Sequence, residues 1–230
     1  MTTAHSFDVI VVGGGIGGST LAGLLARSGL GVLVVEKEAR YRDRVRGEST
    51  YPWGVAEARR AGLGDLLKEA GAIELSAFQN YKDRRLASTH VWATDSIDGV
   101  SEIGFSHPRL QEEAFNWAHS QGASVIRPAK ATGAAHDGHP SVTVVQDGQS
   151  SEYSARLIVG ADGRLSMARS WFGAETIADP EINRFGGPLV SGIRTDDRHA
   201  DNIGRRCLAA SAVSCSRSAA ITGSGRTRTP

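Results

Sequence analysis

Three glycines near the N-terminus follow directly after a short apolar run, and this arrangement constrains the fold more than any other part of the sequence. The apolar run covers residues 9–12, and Gly13, Gly15 and Gly18 follow it at G-x-G-x-x-G spacing. A short continuous apolar run predicts a buried strand of a parallel sheet. Leucines at helical spacing come next and end before Gly29, which predicts a helix that starts inside the glycine motif.

Each of the three glycines has a physical role in such a strand-to-helix turn. Gly13 allows the tight turn, Gly15 lets the backbone approach phosphates, and Gly18 permits close packing of the helix on the strand. The free N–H groups of the helix N-terminus then face the negative charge. The motif therefore predicts a pyrophosphate site of a dinucleotide, for which the candidate residues are Gly13, Gly14, Gly15, Ile16, Gly17 and Gly18.

An acidic residue follows the next predicted strand at the distance that a dinucleotide site needs. The strand covers Val32–Val35, and Glu36 and Lys37 come directly after it. A carboxylate about 20 residues beyond the glycines can accept both hydroxyls of an adenosine ribose and repels a 2′-phosphate. The alternative is that Glu36 is a solvated charge at a strand end. Glu36 and Lys37 are the candidate residues for the adenosine half of the ligand.

Composition excludes several classes of function. The chain has 230 residues, a formal net charge of +1 and 40% hydrophobic residues, so no charge bias indicates nucleic acid or an anionic membrane. Its two cysteines, Cys207 and Cys215, have neither metal-binding spacing nor a disulfide framework around them. We therefore expect a cytoplasmic, reduced protein with no metal site and with no nucleic-acid or membrane partner.

The rest of the sequence alternates between helical and strand patterns. Helices are predicted over 54–70 and 108–121, and strands over 76–81, 86–93 and 124–127. Asp-Gly turn signals divide residues 129–155 into a small antiparallel meander. Two more predictions are a buried strand at 156–160 and a strand at 189–193, and residues 47–53 are predicted to form an irregular loop over the nucleotide site.

A second motif follows the predicted strand at 156–160. It reads Asp162-Gly163-x-x-Ser166-x-x-Arg169. Together with the glycine motif and Glu36, it makes the chain resemble the FAD-dependent monooxygenases of the aromatic-hydroxylase type, the group A flavoprotein monooxygenases. The resemblance implies that Asp162 and Gly163 help to bind FAD, with Asp162 accepting hydrogen bonds from its hydroxyls. Alternatively, Asp162 caps a helix that starts near residue 165.

The same resemblance implies further cofactor contacts. Arg109 matches a family arginine that contacts the flavin nucleotide, and Arg46 with Gly47 matches the loop beside the isoalloxazine and the nicotinamide. Arg46 either pairs with a phosphate or the reduced flavin, or is one of several exposed loop arginines. In the family NAD(P)H reduces FAD, and one oxygen atom of O₂ enters a small organic substrate. We identify no catalytic residue, because the cofactor supplies the chemistry.

The fold class that the resemblance implies is α/β, a Rossmann-like FAD-binding fold with a parallel sheet, a small antiparallel meander and an incomplete inserted substrate region. We expect FAD-binding segments at 1–75 and 107–176, substrate-region strands at 76–106, the start of the substrate sheet at 177–204 and a disordered tail at 205–230. The family's third motif, which begins with Gly-Asp, does not follow residue 193. The chain therefore looks like the N-terminal portion of such an enzyme.

Three alternatives to a monooxygenase stay open on the sequence. They are a flavin-dependent halogenase, a flavin reductase acting on unsaturated prenyl chains, and an inactive remnant that binds FAD. The Trp-x-Trp-x-Ile-Pro signature of the halogenases is absent from the sequence.

Overall fold

The computed structural model describes residues 6–43, 49–82, 85–136 and 138–178, together with the backbone of three strands farther along the chain. The chain divides into two compact units. The first unit comprises Met1–Arg42 and Pro108–Ala178, and the second comprises Asp43–His107 and Asp179–Pro230.

The described elements include both strands and helices. The strands are β1 (Ser6–Val12), β2 (Val32–Val35), β3 (Ser49–Thr50), β4 (Ile73–Leu75), β5 (Ala77–Lys82), β6 (Arg85–Val91), β7 (Glu102–Gly104), β8 (Ser124–Ile126), β9 (Lys130–Ala135), β10 (Ser141–Gln146), β11 (Gln149–Gly160), β12 (Arg184–Phe185), β13 (His199–Arg205) and β14 (Val213–Arg217). The helices are α1 (Ile16–Arg27), α2 (Pro52–Arg60), α3 (Gly64–Glu69), α4 (Trp92–Asp95), α5 (His107–Ser120) and α6 (Ala168–Trp171), with a 3₁₀ turn at Ile97–Gly99.

The first unit contains a six-stranded sheet in the order β8-β2-β1-β11-β10-β9. Its first four strands are parallel, and β10 runs antiparallel to both β11 and β9. The predicted α/β fold with a parallel sheet and an antiparallel meander is confirmed. Strand β11 belongs to both parts, because its first half closes the meander and its second half pairs with β1.

The register brings the ends of the four parallel strands to one edge. Val12 pairs with Val35 on one side and with Gly160 on the other, and Val35 also pairs with Ile126. Parallel strands have their carboxyl ends on the same edge of a sheet, which is where ligands bind in open α/β folds. The residues after positions 12, 35, 126 and 160 therefore converge at this edge.

Side chains of the central strands alternate between two buried faces. Val9 and Val11 pack with Phe115 in one cluster, whereas Ile10 and Val12 contribute to another on the opposite face. Alternation of this kind follows from the two-residue repeat of a strand. Because both faces are covered, the strands are apolar on both sides, as a parallel sheet requires.

Helices α1 and α5 lie on the same face of this sheet. Gly23 of α1 faces Trp117 of α5 so closely that a Cβ at position 23 would overlap the indole ring. Phe115 and Ala118 of α5 join the cluster that also contains Ala22 of α1. This packing fixes α5 beside the helix that starts in the glycine motif.

The described residues of the second unit form two sheets. One is five-stranded in the order β12-β14-β13-β5-β6, and the other is three-stranded in the order β3-β7-β4. Glu102 of β7 is 1% exposed. Burial raises the pKa of its carboxyl, and hydrogen bonding by Ser49 offsets only part of this effect.

Several predicted elements differ from the structure. The single helix predicted over 54–70 is two helices, α2 and α3, because Gly62 between them has a φ of +75°. The loop predicted over 47–53 contains β3 and the start of α2, where Pro52 occupies the first turn. The strand predicted to be buried at 156–160 is the end of β11, and Leu157 there is 55% exposed.

Two predictions concern the C-terminal part of the chain. The strand predicted at 189–193 lies outside the described residues. Disorder was predicted over 205–230, but β14 forms a strand inside that range; residues 206–212 and 218–230 lie outside the described residues. None of the helices in the described part of the chain is long and apolar enough to cross a membrane.

Candidate dinucleotide site

The turn between β1 and α1 leaves no room for a Cβ at Gly13, Gly14 or Gly18. Gly13 has a φ of +108°, and a Cβ there would overlap the backbone of Ala161 and lie 2.8 Å from the Cα of Asp162. A Cβ at Gly18 would overlap the carbonyl oxygen of Gly13 and lie 3.1 Å from the Cβ of Ala161. The turn therefore packs directly against the residues that follow β11.

Gly15 and Gly17, by contrast, have room for a Cβ. Gly15 is the N-cap of α1, and the nearest atom to a Cβ there is Nε2 of Gln111, at 3.9 Å. A Cβ at Gly17 would have no neighbour within 4 Å among the described residues. In this part of the chain no side chain caps α1, so the first N–H groups of the helix, which have no intrahelical acceptor, are not satisfied by a capping side chain. This is the arrangement that accepts an anion.

Glu36 lies beside the glycine turn and is 6% exposed. Its Oε2 accepts a hydrogen bond of 2.7 Å from the N–H of Gly14, and its Oε1 accepts one of 2.7 Å from the N–H of Glu38. Each carboxylate oxygen can accept more than one hydrogen bond. Both oxygens of Glu36 therefore keep capacity for ligand hydroxyls, and the solvated-charge alternative does not describe this buried residue.

The carbonyl of Gly14 is held by two hydroxyl groups. Ser19 donates to it from Oγ at 2.8 Å, and the phenol of Tyr41 also donates to it. Burial, reinforced by the negative charge of Glu36, raises the pKa of Tyr41. The phenol therefore keeps its proton at neutral pH, and the N–H and the C=O of Gly14 are both held by hydrogen bonds.

Arg127, the residue after β8, packs against the same region. Its guanidinium lies 4.5 Å from the ring centroid of Tyr41 and 5.1 Å from that of Phe115. It also forms two hydrogen bonds with the carboxylate of Glu112 on α5, at 2.8 and 2.9 Å. This bond to Glu112 raises the pKa of Arg127 further above its already high value.

Asp162 follows β11 and uses its two oxygens differently. Oδ2 accepts hydrogen bonds from the N–H groups of Met167 and Ala168, at 2.6 and 3.1 Å. Oδ1 is buried and has no hydrogen-bond partner among the described residues. Burial disfavours the charge, but hydrogen bonds from Ser166, Ala168 and Met167 outweigh burial and lower the pKa of this carboxyl. Asp162 is therefore a carboxylate with one oxygen left for a ligand.

The other predicted site residues lie at varied positions. Lys37 is exposed next to Glu36, Gly163 has a φ of +84° directly after Asp162, and Arg109 is exposed in the first turn of α5. Arg46 and Gly47 lie outside the described residues. Arg169 donates a hydrogen bond to the carbonyl of Arg164 in the preceding loop.

The structure adds four residues that the sequence analysis did not select: Ser19, Tyr41, Gln111 and Arg127. The partners of Tyr41 and Arg127 are distant in sequence, and none of the four residues belongs to a motif. One signal was available, because Arg127 is the last residue of the strand predicted over 124–127. Residues at that position lie at the ligand-binding edge.

The residues present fit a bound dinucleotide. The open helix N-terminus at Gly15 and Gly17 suits a pyrophosphate. The buried carboxylate of Glu36 suits a ribose, and the unpartnered Oδ1 of Asp162 needs a donor such as a hydroxyl group. In the described part of the chain no cluster of His, Cys, Asp and Glu could hold a metal ion.

Comparisons with known proteins agree with this geometry. The chain matches the family described as FAD binding domain over residues 6–190. It is 29% identical over 172 residues to squalene monooxygenase of Mus musculus, which covers 66% of this chain and 30% of that protein. It is 28% identical over 180 residues to menaquinone reductase of Mycobacterium tuberculosis, which covers 74% of this chain and 42% of that protein.

A solved structure has the same fold. The p-nitrophenol 4-monooxygenase of Pseudomonas putida has a TM-score of 0.67 at 20% identity, over 74% of this chain and 44% of that one. The chain thus spans less than half the length of each of these three proteins. The family match itself runs from β1 beyond Asp162 and includes the glycine turn, Glu36 and the Asp-Gly motif. The chain therefore belongs to the FAD binding domain family.

Proposed function

We propose that this chain forms the FAD-binding part of a flavoprotein monooxygenase, which uses NAD(P)H as electron donor and transfers one oxygen atom of O₂ to a small organic substrate. The observation that carries the proposal is the meeting of three ligand-binding features at one sheet edge: the open helix N-terminus at Gly15, the buried Glu36 and the unpartnered oxygen of Asp162. The match to squalene monooxygenase supports the oxygen-transfer chemistry.

In this proposal each feature binds one part of FAD. The N–H groups at the start of α1 donate to the pyrophosphate, and the positive end of the helix dipole adds to this attraction. Glu36 accepts the hydroxyls of the adenosine ribose, and Asp162 accepts a ribose or ribityl hydroxyl through Oδ1. Lys37, Arg109, Gly163, Arg46 and Gly47 stay candidate contacts. FAD, when bound, supplies the redox chemistry.

The decisive experiment follows the fate of oxygen. The purified chain is incubated with FAD, NADPH or NADH and a set of phenolic and polyprenyl substrates under ¹⁸O₂, and products are analysed by mass spectrometry. We expect a product heavier by one ¹⁸O atom together with NAD(P)H oxidation that depends on substrate. A Gly15→Val variant serves as the control that lacks bound FAD. Bound FAD with a product that carries no ¹⁸O would refute the monooxygenase function while leaving FAD binding intact, whereas bound FAD with no product at all would favour the inactive remnant.

A second candidate is a reductase of unsaturated prenyl chains. The similarity to menaquinone reductase over 74% of this chain favours it. Such a reaction adds two hydrogens to a carbon–carbon double bond, with electrons from NAD(P)H, and takes no oxygen from O₂. A polyprenyl product heavier by two hydrogens, formed anaerobically and without ¹⁸O, would support the reductase over the monooxygenase.

The remaining expectations stay predictions. They are the halogenase and inactive-remnant alternatives, the cytoplasmic location, and the absence of nucleic-acid and membrane partners. The same mass-spectrometric assay with added chloride or bromide tests the halogenase, because a halogenated product has a characteristic isotope pattern.

A further inference from the structure

Arg127 joins three separate segments of the first unit. Its guanidinium forms the two-pronged ion pair with Glu112 of α5, and it donates to the backbone carbonyls of Glu38 and Ala39 at 2.8 and 2.9 Å. Its side chain is 11% exposed. A planar guanidinium that makes several charge-assisted hydrogen bonds at low exposure holds its partners in one geometry.

The segments that Arg127 holds are those that touch the glycine turn. Glu38 and Ala39 belong to the segment after Glu36, and the N–H of Glu38 donates to Oε1 of Glu36. The same segment leads to Tyr41, whose phenol donates to the carbonyl of Gly14. Arg127 therefore restrains this segment at its carbonyls and restrains Tyr41 through its ring.

The aromatic rings extend this restraint to the glycine turn itself. Phe115 lies under the guanidinium of Arg127, and a Cβ added at Gly14 would come within 2.8 Å of the Phe115 ring. Tyr41 and Phe115 also contact each other edge to face, with ring centroids 6.5 Å apart. Gly14 therefore accepts a hydrogen bond from Tyr41 and lies next to the ring of Phe115. Both of these rings pack against the guanidinium of Arg127.

We propose that Arg127 is a positioning residue for the adenosine diphosphate half of FAD. It holds Tyr41, Phe115 and the 38–39 segment, so that the backbone of Gly14 and the carboxylate of Glu36 are already in position before the nucleotide binds. Arg127 itself need not touch the ligand. The inference rests on the proposed function, because it assumes that the nucleotide binds at the glycine turn.

Prearrangement has a measurable consequence. A site that is already ordered loses less conformational freedom when it binds, so removing the restraint weakens binding even though no ligand contact is deleted. Loss of Arg127 should raise the dissociation constants of FAD and ADP by the same factor, because both ligands contain the adenosine diphosphate half. A role in stability alone would lower the unfolding temperature but leave the dissociation constants of the folded protein unchanged.

The test measures dissociation constants of FAD and ADP by isothermal titration calorimetry at 10 °C, with folding checked by far-UV circular dichroism. The variants are Arg127→Met and Arg127→Lys. The control is Arg156→Met, because Arg156 also pairs with a carboxylate, that of Asp8 at 3.2 Å, but at the opposite end of β1 from the glycine turn.

For Arg127→Met we expect both dissociation constants to rise about tenfold. Arg127→Lys should restore part of the affinity, and Arg156→Met should bind like the wild type. If Arg127→Met does not fold, Glu112→Gln replaces it, because Glu112 is a partly exposed partner of the same ion pair; a rise of about threefold is then expected.

Two results would overturn the inference in distinguishable ways. Folded Arg127→Met, or Glu112→Gln in its place, with dissociation constants within a factor of about 1.5 of the wild type would reject the positioning role alone. A wild type that binds neither FAD nor ADP would reject the proposed function, and the inference would fail with it.

Discussion

Replacing Gly15 by valine should remove FAD binding while leaving the fold in place. Gly15 has a φ of −66° and a ψ of −179°, which valine adopts without strain, and its nearest neighbour is Nε2 of Gln111 at 3.9 Å from a Cβ. Valine is a poorer N-cap than glycine, so the free energy of unfolding should fall by about 1 kcal/mol at most. The fold therefore tolerates the change.

The effect on binding should be much larger. The valine side chain fills the open space through which the pyrophosphate would approach the N–H groups of α1. Loss of two hydrogen bonds to a charged group is worth about 3 kcal/mol or more, which raises the dissociation constant of FAD at least about a hundredfold. Flavin fluorescence quenching measures this constant, and urea denaturation of the FAD-free protein measures the stability.

Gly133→Val is the matched control for this prediction. Gly133 lies in β9, away from the glycine turn, and a Cβ there has no neighbour within 4 Å among the described residues. This variant should bind FAD as the wild type does. The reasoning would be refuted if Gly15→Val bound FAD within threefold of the wild type, or if it lost as much stability as a substitution at a crowded glycine.

Three further changes test other parts of the structure. Gly18→Ala should destabilise the FAD-free protein by about 2 kcal/mol in urea denaturation, because its Cβ would overlap the carbonyl of Gly13; a loss below about 0.5 kcal/mol would contradict the packing. Asp162→Ala should cost about 1 kcal/mol at pH 7 through two lost hydrogen bonds to backbone N–H groups. Because the folded-state pKa of Asp162 is lowered, its contribution to the free energy of unfolding is complete above about pH 4 and declines as the pH falls through that pKa. A difference in stability between wild type and Asp162→Ala that stays constant from about pH 7 to about pH 2 would contradict this prediction. Glu102→Gln should become more stable relative to the wild type as the pH rises from about 4.3 through the raised pKa of Glu102, since the buried wild-type carboxyl resists ionisation. Parallel denaturation curves at pH 4, 6 and 8 check this, and a pH-independent difference would contradict it.

Local sequence patterns predicted the parallel sheet and its ligand-binding edge. The apolar run before Gly13 and the strand before Glu36 are adjacent elements joined by one helix, so their pairing follows from the right-handed βαβ connection alone. The antiparallel meander was predictable because its turns contain Asp-Gly pairs, and Gly148 indeed has a φ of +77°. Short-range patterns decide such features.

Features that depend on long-range packing were not predictable. Arg127 lies 15 residues from Glu112 and almost 90 from Glu38 and Ala39, and nothing in its local sequence indicates that these groups meet. The two uses of the Asp162 carboxylate were weighed as alternatives on the sequence. The geometry shows that one oxygen accepts backbone hydrogen bonds while the other stays without a partner among the described residues.

The most direct test of FAD binding is the visible spectrum of the purified wild-type chain after incubation with FAD and removal of free flavin by desalting. We predict flavin absorption bands at a ratio of about one FAD per chain, as one glycine turn binds one dinucleotide. The Gly15→Val variant, treated in the same way, should show no flavin absorption bands after desalting. A colourless wild-type protein that is folded by circular dichroism would contradict the account, because the glycine turn, Glu36 and Asp162 would then not bind FAD.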